Sequence, residues 1–493
     1  MELGKENIIV KDLKDNNKKS FLAGMKASFS GRKLRSGAYV TAMSVVVIVI
    51  ILVVNMLITK MNLQVDLSTQ NMFSISNDSK KLVKGLKDDV TIYYLAQSGT
   101  EQKTFTNIIK QYESSSNKIK IEYKDPVLYP KFAEKLGVED QIHNNSFLIV
   151  NDSNKKAKYV DNSDLLVTET DPQTGEQKTT AIDVEGQITS AIQNVTTTKP
   201  NKMYIVEGHG EAETGNTFSE LVKKMNVSTD TLKTLSVSSI PKDCDMLFIN
   251  GPATDFTEAE TKLVKDYLMK GGKAIITADY NAYSLKNFSS ILDYYGIKMV
   301  NGVVLEGDAA KHINEYMNYV LPNIESNDIT TYVKEKGVPV VLKNSSAFEI
   351  TKQKRNTLKI EPLLTSSSSS YSKVDLSSNN INKEDGDIDG PFNLGLVSTD
   401  KFNGITSGIV VFGSSFTFSD ELKEYSNLSL LSGSIGYCIG DKNLLSIPTK
   451  SLSSPSVQLS QGQIIAIGST VVLIIPILIL AIGGVVCYRR RRK

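Results

Sequence analysis

Met203-Tyr204-Ile205-Val206, followed by Glu207-Gly208-His209-Gly210-Glu211, is the stretch whose reading decides the fold. The first four residues have the length and β-branched content of a buried strand, and two glycines then break the chain sharply. Beyond the break, Thr217 to Met225 predicts a helix, and Asp245-Met246-Leu247-Phe248-Ile249 predicts a second buried strand ending in Asn250-Gly251-Pro252. Thr257 with Glu260 three residues on is a capping-box signature for a helix through Lys270, which Gly271-Gly272 stops before a third strand from Lys273 to Thr277. Strands alternating with helices at this spacing predict an α/β architecture, a mostly parallel sheet covered on both faces.

In such sheets, ligands bind at loops outside the carboxyl ends of the strands. Three loops fall there: Glu207 to Glu211, the turn at Asn250, and Gly413-Ser414-Ser415 after the predicted strand Gly408 to Phe412. Glu207, His209, Glu211, Asn250, Ser414 and Ser415 are therefore the candidate ligand- or partner-binding residues. Two carboxylates and an imidazole have the chemistry to hold a metal, move a proton or bind a cation. The plainer reading has the glycines permit a tight turn while His209 satisfies nearby backbone groups. No metal set, catalytic set or cofactor is assigned.

Composition sets the context. The 493 residues suffice for two or three domains, and a net charge of +2 gives no reason to expect nucleic acid as a partner. Cys244, Cys438 and Cys487 form neither a metal-ligand spacing nor a disulfide framework. Residues 1–37 read as a basic tail, and 38–59 are apolar almost throughout, with Val45 to Val54 unbroken. A helix of that length, at about 1.5 Å per residue, crosses a hydrocarbon core of about 30 Å. Lys60-Met61-Asn62-Leu63 is not a small-residue cleavage site, which favours an uncleaved anchor over a signal peptide. A second apolar run, 464–488, ends against Arg489-Arg490-Arg491-Arg492-Lys493. Basic segments outside both runs place both termini in the cytoplasm of a two-pass cytoplasmic-membrane protein, with the residues between the runs outside.

Between the runs, 60–198 reads as an N-terminal α/β domain, 199–450 as the central sheet domain and 451–463 as a Ser-rich tether. The first domain has strand candidates at Val90 to Leu95, Ile119 to Tyr123, Ser146 to Asn151 and Lys156 to Tyr159. Its helices are expected at Ser76 to Leu86, Phe105 to Ser114, Phe132 to Leu136 and Asp183 to Val195. That order suggests a small thioredoxin-like layer, and no Cys-x-x-Cys accompanies it. Further on, Lys298 to Val304 and Val338 to Leu342 read as strands, and Asp308 to Asn318 as either a lid or a surface insertion.

Several stretches together resemble the extracytoplasmic domain of GldG-like proteins, auxiliary components of ABC transporters first associated with gliding motility. They are Asp66-Leu67-Ser68 with Phe73-Ser74-Ile75-Ser76, Ile188-Thr189-Ser190-Ala191-Ile192, Gly208-His209-Gly210-Glu211, Phe248-Ile249-Asn250-Gly251-Pro252 and Val411-Phe412-Gly413-Ser414-Ser415-Phe416. The resemblance implies an ABC permease and an ATPase as partners on separate chains, since this chain has no Walker A pattern and no multispan region. Where that family commonly carries Gly-Asp-Ser, this chain has Gly413-Ser414-Ser415, which lacks the acid.

The element order also resembles class I glutamine-amidotransferase-like sheets, in which a cysteine sits on a strand-to-helix turn. Cys244 precedes a strand and Cys438 lies within a predicted helix, so neither has that position. Gly413-Ser414-Ser415-Phe416-Thr417 lacks the second glycine of a nucleophile elbow. The expectation is a non-catalytic auxiliary subunit. The alternatives are a cell-envelope sensor or scaffold, and a hydrolase using the Glu-Gly-His-Gly-Glu loop.

Overall fold

The computed structural model describes residues 43–53, 56, 72–138, 141–170, 176–352, 354–377, 380–440, 447 and 449–452. The chain divides into two compact units, Met1–Leu67 and Ser68–Lys493. In the first unit, residues 43–53 are helical and their apolar side chains are exposed. No helix among the described residues is long and apolar enough to cross a membrane. The rest of the predicted span 38–59, both basic tails, the tether beyond Leu452 and the run 464–488 lie outside the described residues.

The second unit opens with helix α1 (Asn77–Lys84), which Ser76 caps by accepting from the Ser79 N–H. Strand β1 (Val90–Leu95), helix α2 (Lys103–Ser115) and strand β2 (Ile119–Lys124) form a parallel crossover, and β3 (Ser146–Asn151) and β4 (Ala157–Val160) add an antiparallel hairpin. The sheet order is β2-β1-β3-β4. Strand β5 (Leu166–Thr170) pairs with β6 (Gln177–Ile182), and helix α3 (Val184–Thr196) follows. Phe105, Ile108, Ile109 and Tyr112 of α2 pack with Ile188, Ala191, Ile192 and Val195 of α3 over Val90, Ile92 and Tyr94. The helix expected at Phe132 to Leu136 is a single 3-10 turn, Glu134–Leu136, stopped by Gly137 at φ +78.

The central sheet follows: β7 (Asn201–Glu207), α4 (Asn216–Lys224), β8 (Val227–Lys233), β9 (Met246–Asn250), α5 (Glu258–Met269), β10 (Lys273–Thr277), α6 (Lys286–Tyr294) and β11 (Ile297–Val300). Short strands come next: β12 (Val303–Leu305), β13 (His312–Ile313), β14 (Tyr316–Val320), β15 (Asn323–Ile324), helix α7 (Thr331–Lys336), β16 (Leu342–Lys343) and β17 (Ala347–Ile350). The chain closes with β18 (Leu358–Thr365), β19 (Tyr371–Lys373), β20 (Ile388–Asp389), β21 (Asn393–Phe402), β22 (Ile405–Phe412), α8 (Asn427–Ile439) and β23 (Lys450–Ser451).

Ten strands share this sheet, eight of them in the order β11-β17-β21-β22-β10-β9-β7-β8. From β22 to β8 every pairing is parallel, whereas β21, β17, β11, β18 and β15 join antiparallel. The sheet is thus mixed α/β and only half parallel. A tight turn at Asn403-Gly404 returns β21 directly into β22, which leaves no room for a crossover helix.

Alternation along the strands divides the core in two. Met246, Phe248, Ile275, Val410 and Phe412 face Phe218 and Val222 of α4 and Leu430, Leu431 and Ile435 of α8. Leu247, Ile249, Ala274, Ile276, Ile409 and Val411 face Val264 and Leu268 of α5 and Phe288, Ile291 and Leu292 of α6. Continuous apolar strands are therefore needed, because both faces are covered.

Three expected elements differ. The stretch Lys298 to Val304 is two strands split at Gly302 (φ +99), where a Cβ would lie 2.4 Å from the Lys373 carbonyl oxygen. Of Val338 to Leu342, only Leu342 enters a strand. The Asp308 to Asn318 insertion is the β13–β14 hairpin, to which β16 adds.

The expected boundary at 198/199 falls inside the second unit. Asp183 of the first layer binds Lys224 of α4 with both carboxylate oxygens at 2.8 Å, and β23 returns to pair with β6.

Candidate functional site

The carboxyl ends of β22, β10, β9 and β7 stand side by side and carry, in turn, Ser414-Ser415, Asp279, Asn250-Gly251 and the His209 loop. These are the strand ends expected from the sequence, and His209, Glu211, Asn250, Asp279 and Ser414 there are engaged by other groups of the protein.

Gly208 (φ +126) and Gly210 (φ +72) let the chain after β7 fold back on itself. The turn drives His209 inward until it is 3 % exposed. Its ring stacks on Phe256 with centroids 4.0 Å apart and planes 8° from parallel. Glu211 Oε2 accepts from the Gly208 and His209 N–H groups at 3.0 and 2.8 Å, and Oε1 lies 3.2 Å from His209 Nδ1. On the other edge, His209 Nε2 is 3.2 Å from Glu260 Oε1, close enough for an ion pair but outside hydrogen-bonding direction. The His209 carbonyl accepts from the N–H groups of Ala253 and Thr254, both at 2.9 Å.

Glu260 is the side chain that sequence reasoning placed only in a cap. It completes the capping box of α5, accepting from the Thr257 N–H at 2.9 Å and hydroxyl at 2.8 Å, and it also accepts from Thr234 Oγ1 at 2.5 Å. Burial pushes its carboxyl up, but the hydrogen bonds from Thr234 and from the Thr257 N–H and hydroxyl outweigh burial and hold it below the usual carboxylate range. His209 thus ties the turn after β7 to the amino end of α5. Its capping-box signal pointed inward along α5, and nothing in the spacing announced a partner fifty residues away.

The remaining candidates are placed as follows. Asn250 is buried, donates to the Ala212 carbonyl at 2.8 Å and accepts from Thr277 Oγ1 at 2.8 Å. Ser414 Oγ donates to the Lys343 carbonyl at 2.5 Å and accepts from the Phe416 N–H at 3.3 Å. The Ser415 N–H donates to Asp279 Oδ1 at 2.7 Å, and a Cβ at Gly251 would stand 2.6 Å from Ser415 Cβ. Glu207 is exposed. The structure brings Glu211 and His209 together, brings Asn250 and Ser415 to adjacent strand ends, and leaves Glu207 outside the cluster.

Neither described cysteine is a thiolate at neutral pH. Burial pushes Cys244 up to about 11 and Cys438 up to about 12, and both are free. Cys244 Sγ points back at the Met246 carbonyl, 3.3 Å away, on the entry side of β9. No group of three His, Cys, Asp or Glu among the described residues is placed to hold a metal ion.

Residues 200–430 match the model of a family described as an ABC-type uncharacterized transport system. The matched stretch runs from the start of β7 into α8 and so takes in the whole parallel half of the sheet. Residues 69–168 match a domain of unknown function, DUF7088, which spans the first layer up to β5. No curated protein matches the chain. Among solved structures, it is similar to the mmIFT52 N-terminal domain, with 18 % identity, a TM-score of 0.36, and coverage of 48 % of this chain and 96 % of that one. It is also similar to a glutamine amidotransferase from Thermotoga maritima, with 10 % identity, a TM-score of 0.28, and coverage of 48 % and 97 %. PurLQS from Thermotoga maritima shows 11 % identity, a TM-score of 0.26, and coverage of 48 % and 99 %.

Proposed function

We propose that the chain is a non-catalytic accessory subunit of an ABC transport assembly, of the GldG-like kind, working with a permease and an ATPase on separate chains. In this reading the apolar runs 38–59 and 464–488 anchor it in the cytoplasmic membrane with both termini inside, and the second unit binds partner subunits or substrate outside. The family match of residues 200–430 supports the transport role.

The observation that supports the anchoring is the meeting of the first and last described stretches of the second unit. Ser74 to Ser79, near the first described residues of that unit, and Lys450, near the last, converge on Glu185 at the start of α3. Glu185 Oε1 accepts from the Ser76 N–H at 2.6 Å and Ser79 Oγ at 2.7 Å, and Oε2 lies 3.0 Å from Lys450 Nζ. Lys450 Nζ also donates to the Ser74 carbonyl. A domain whose ends leave from one point suits suspension from two adjacent spans.

The closed rim supports a binding role over catalysis, because His209 and Ser414 are each held by structural partners. Affinity purification of the tagged chain from its native membrane in mild detergent tests the assembly. An ATPase and a polytopic permease in fixed ratio to the chain are expected. Their absence, where a control ABC complex stays whole, moves the assignment to an envelope sensor or scaffold.

A further inference from the structure

The loop that leaves strand β2 reads Asp125-Pro126-Val127-Leu128-Tyr129-Pro130, and its tip is apolar and bare. Val127, Leu128 and Tyr129 are 65 %, 70 % and 58 % exposed. Pro126 and Pro130 have no N–H to hydrate. Asp125 Oδ1 accepts from the N–H groups of Val127 and Leu128 at 2.9 and 3.3 Å, and the Asp125 carbonyl accepts from the Tyr129 N–H at 3.0 Å. The tip from 126 to 130 therefore leaves no backbone N–H unpaired, which removes a main cost of taking a loop out of water.

The base of the loop is fixed. Asp125 Oδ2 accepts from the Ser98 N–H at 3.4 Å, and Phe132 meets Tyr93 edge-on with centroids 4.8 Å apart. Ala133 and Val138 are buried with Leu95, Leu148 and Val150. The three apolar side chains are thus held outward before any contact is made, so little ordering is left to be done on binding.

The strand register places this tip. The loop leaves from Lys124, which pairs with Leu95 at the carboxyl end of β1. Tyr94, beside Leu95, pairs with Phe147, and Phe147 with Val160 at the end of β4. The short turn 161–165 then leads to Leu166, which pairs with Ile182, the residue that also pairs with Lys450. The apolar tip and the meeting of the first and last described stretches therefore lie at the same end of the first layer. About a dozen residues separate each of those stretches from the apolar runs 38–59 and 464–488, at most about 40 Å of extended chain.

We propose that Val127, Leu128 and Tyr129 seat in the lipid interface of the membrane beside which the unit is held. The proposal rests on the anchoring part of the accessory reading. A lipid surface fits better than a protein one on size. Even at about 150–250 Å² apiece, the range for aromatic side chains, three residues fall short of the area, about 800 Å² per partner, that a standard protein interface buries. Lys131 and Lys135, both exposed, follow the tip and suit lipid phosphate, with Glu134 the one acid between them. The seat is the interface and not the hydrocarbon core, where irregular backbone facing lipid is not tolerated.

The chain has no tryptophan, so a single introduced indole reports on its own surroundings. The test uses full chains carrying Leu128→Trp, with Val127→Trp as a second tip variant, reconstituted in phosphatidylcholine–phosphatidylglycerol vesicles with and without brominated acyl chains. Ser153→Trp, in the exposed turn between β3 and β4 at the opposite end of that sheet, is the solvent control, and Val49→Trp reports on the first apolar run. A thermal melt of each establishes that it is folded. Bromolipid should cut the emission of both tip variants about twofold, as a ring seated about 5–10 Å into the interface requires, and leave Ser153→Trp unchanged. Tip variants that emit like Ser153→Trp overturn the proposal, as does blue-shifted emission that bromolipid does not quench, since a second copy of the chain then covers the tip. Quenching of Val49→Trp without quenching at the tip overturns the tip contact alone. Quenching at the tip without quenching of Val49→Trp supports the contact and overturns the anchoring, so the two readings fail separately.

Discussion

Lys450 Nζ and Glu185 Oε2 lie 3.0 Å apart, with side chains 11 % and 4 % exposed, and join residues 265 positions apart in the chain. Around them, Tyr112 donates to the Glu185 carbonyl at 2.9 Å and contacts Thr189 Oγ1 at 2.6 Å, and Ser79 Oγ lies 3.0 Å from the same hydroxyl. Burial, then the nearby Glu185 charge, pushes the Tyr112 phenol well above its usual range. The pair joins the first and last described stretches of the second unit.

Lys450→Met removes the partner of a buried carboxylate and is expected to cost about 3 kcal/mol, a drop of roughly 3–5 °C in melting temperature for a unit of this size. Adding Glu185→Gln removes the stranded charge, so the double variant should recover part of the loss. A double-mutant cycle by thermal melting checks this, and additive losses would show that the pair is not coupled.

Glu260 gives the rim a pH dependence of defined sign. Its carboxyl is held below the usual range in the folded chain, so its stabilising contribution is fully present above the unfolded value of about 4.3 and is lost as pH falls through the lowered folded value. Urea midpoints measured from pH 6 downward should show a steeper acid loss for the native chain than for Glu260→Gln. His209→Ala, which removes the Phe256 stacking and leaves Glu211 with only backbone donors, is expected to destabilise by about 2 kcal/mol.

At Gly186 in α3, a Cβ would fall 2.4 Å from both Asp183 Oδ1 and Lys224 Nζ. Gly186→Ala therefore displaces the ion pair that joins the two layers, and a loss of about 2–4 kcal/mol is expected by denaturant unfolding. Gly85→Ala is the contrast: φ is −84° and the nearest atoms stand 3.5 Å from the added Cβ, so stability should change by less than about 0.5 kcal/mol.

With thiols raised to about 11 and about 12, Cys244 and Cys438 should resist alkylation in the native chain at pH 8 and react on unfolding. Peptide mapping after a brief maleimide pulse resolves the two sites. Native labelling of Cys438 at the rate of a free thiol would contradict its burial.

The sequence made the parallel half of the sheet legible, because β7, β9, β10 and β22 are short apolar runs bounded by glycine or proline, and Thr257 with Glu260 marks α5. Strand β8, Val227–Lys233, gives no strand pattern: Val227 and Leu232 are buried, and the four residues between them, Ser228 to Thr231, are polar and exposed, as suits an edge strand. The antiparallel half was hidden because pairing partners such as Leu358 and Asp400 are set by long-range register, which local periodicity does not encode. The His209 loop was found from its glycines and acids, but its role depends on Phe256 and Glu260, whose approach only the fold creates.

The mass of the intact assembly tests the accessory role most directly. Native mass spectrometry of the tagged chain, extracted gently from its own membrane, should show a complex heavier than the 54.2 kDa chain by the masses of an ABC ATPase and a permease. A species of 54.2 kDa, or of whole multiples of it, recovered while a control ABC complex stays intact, would contradict the account.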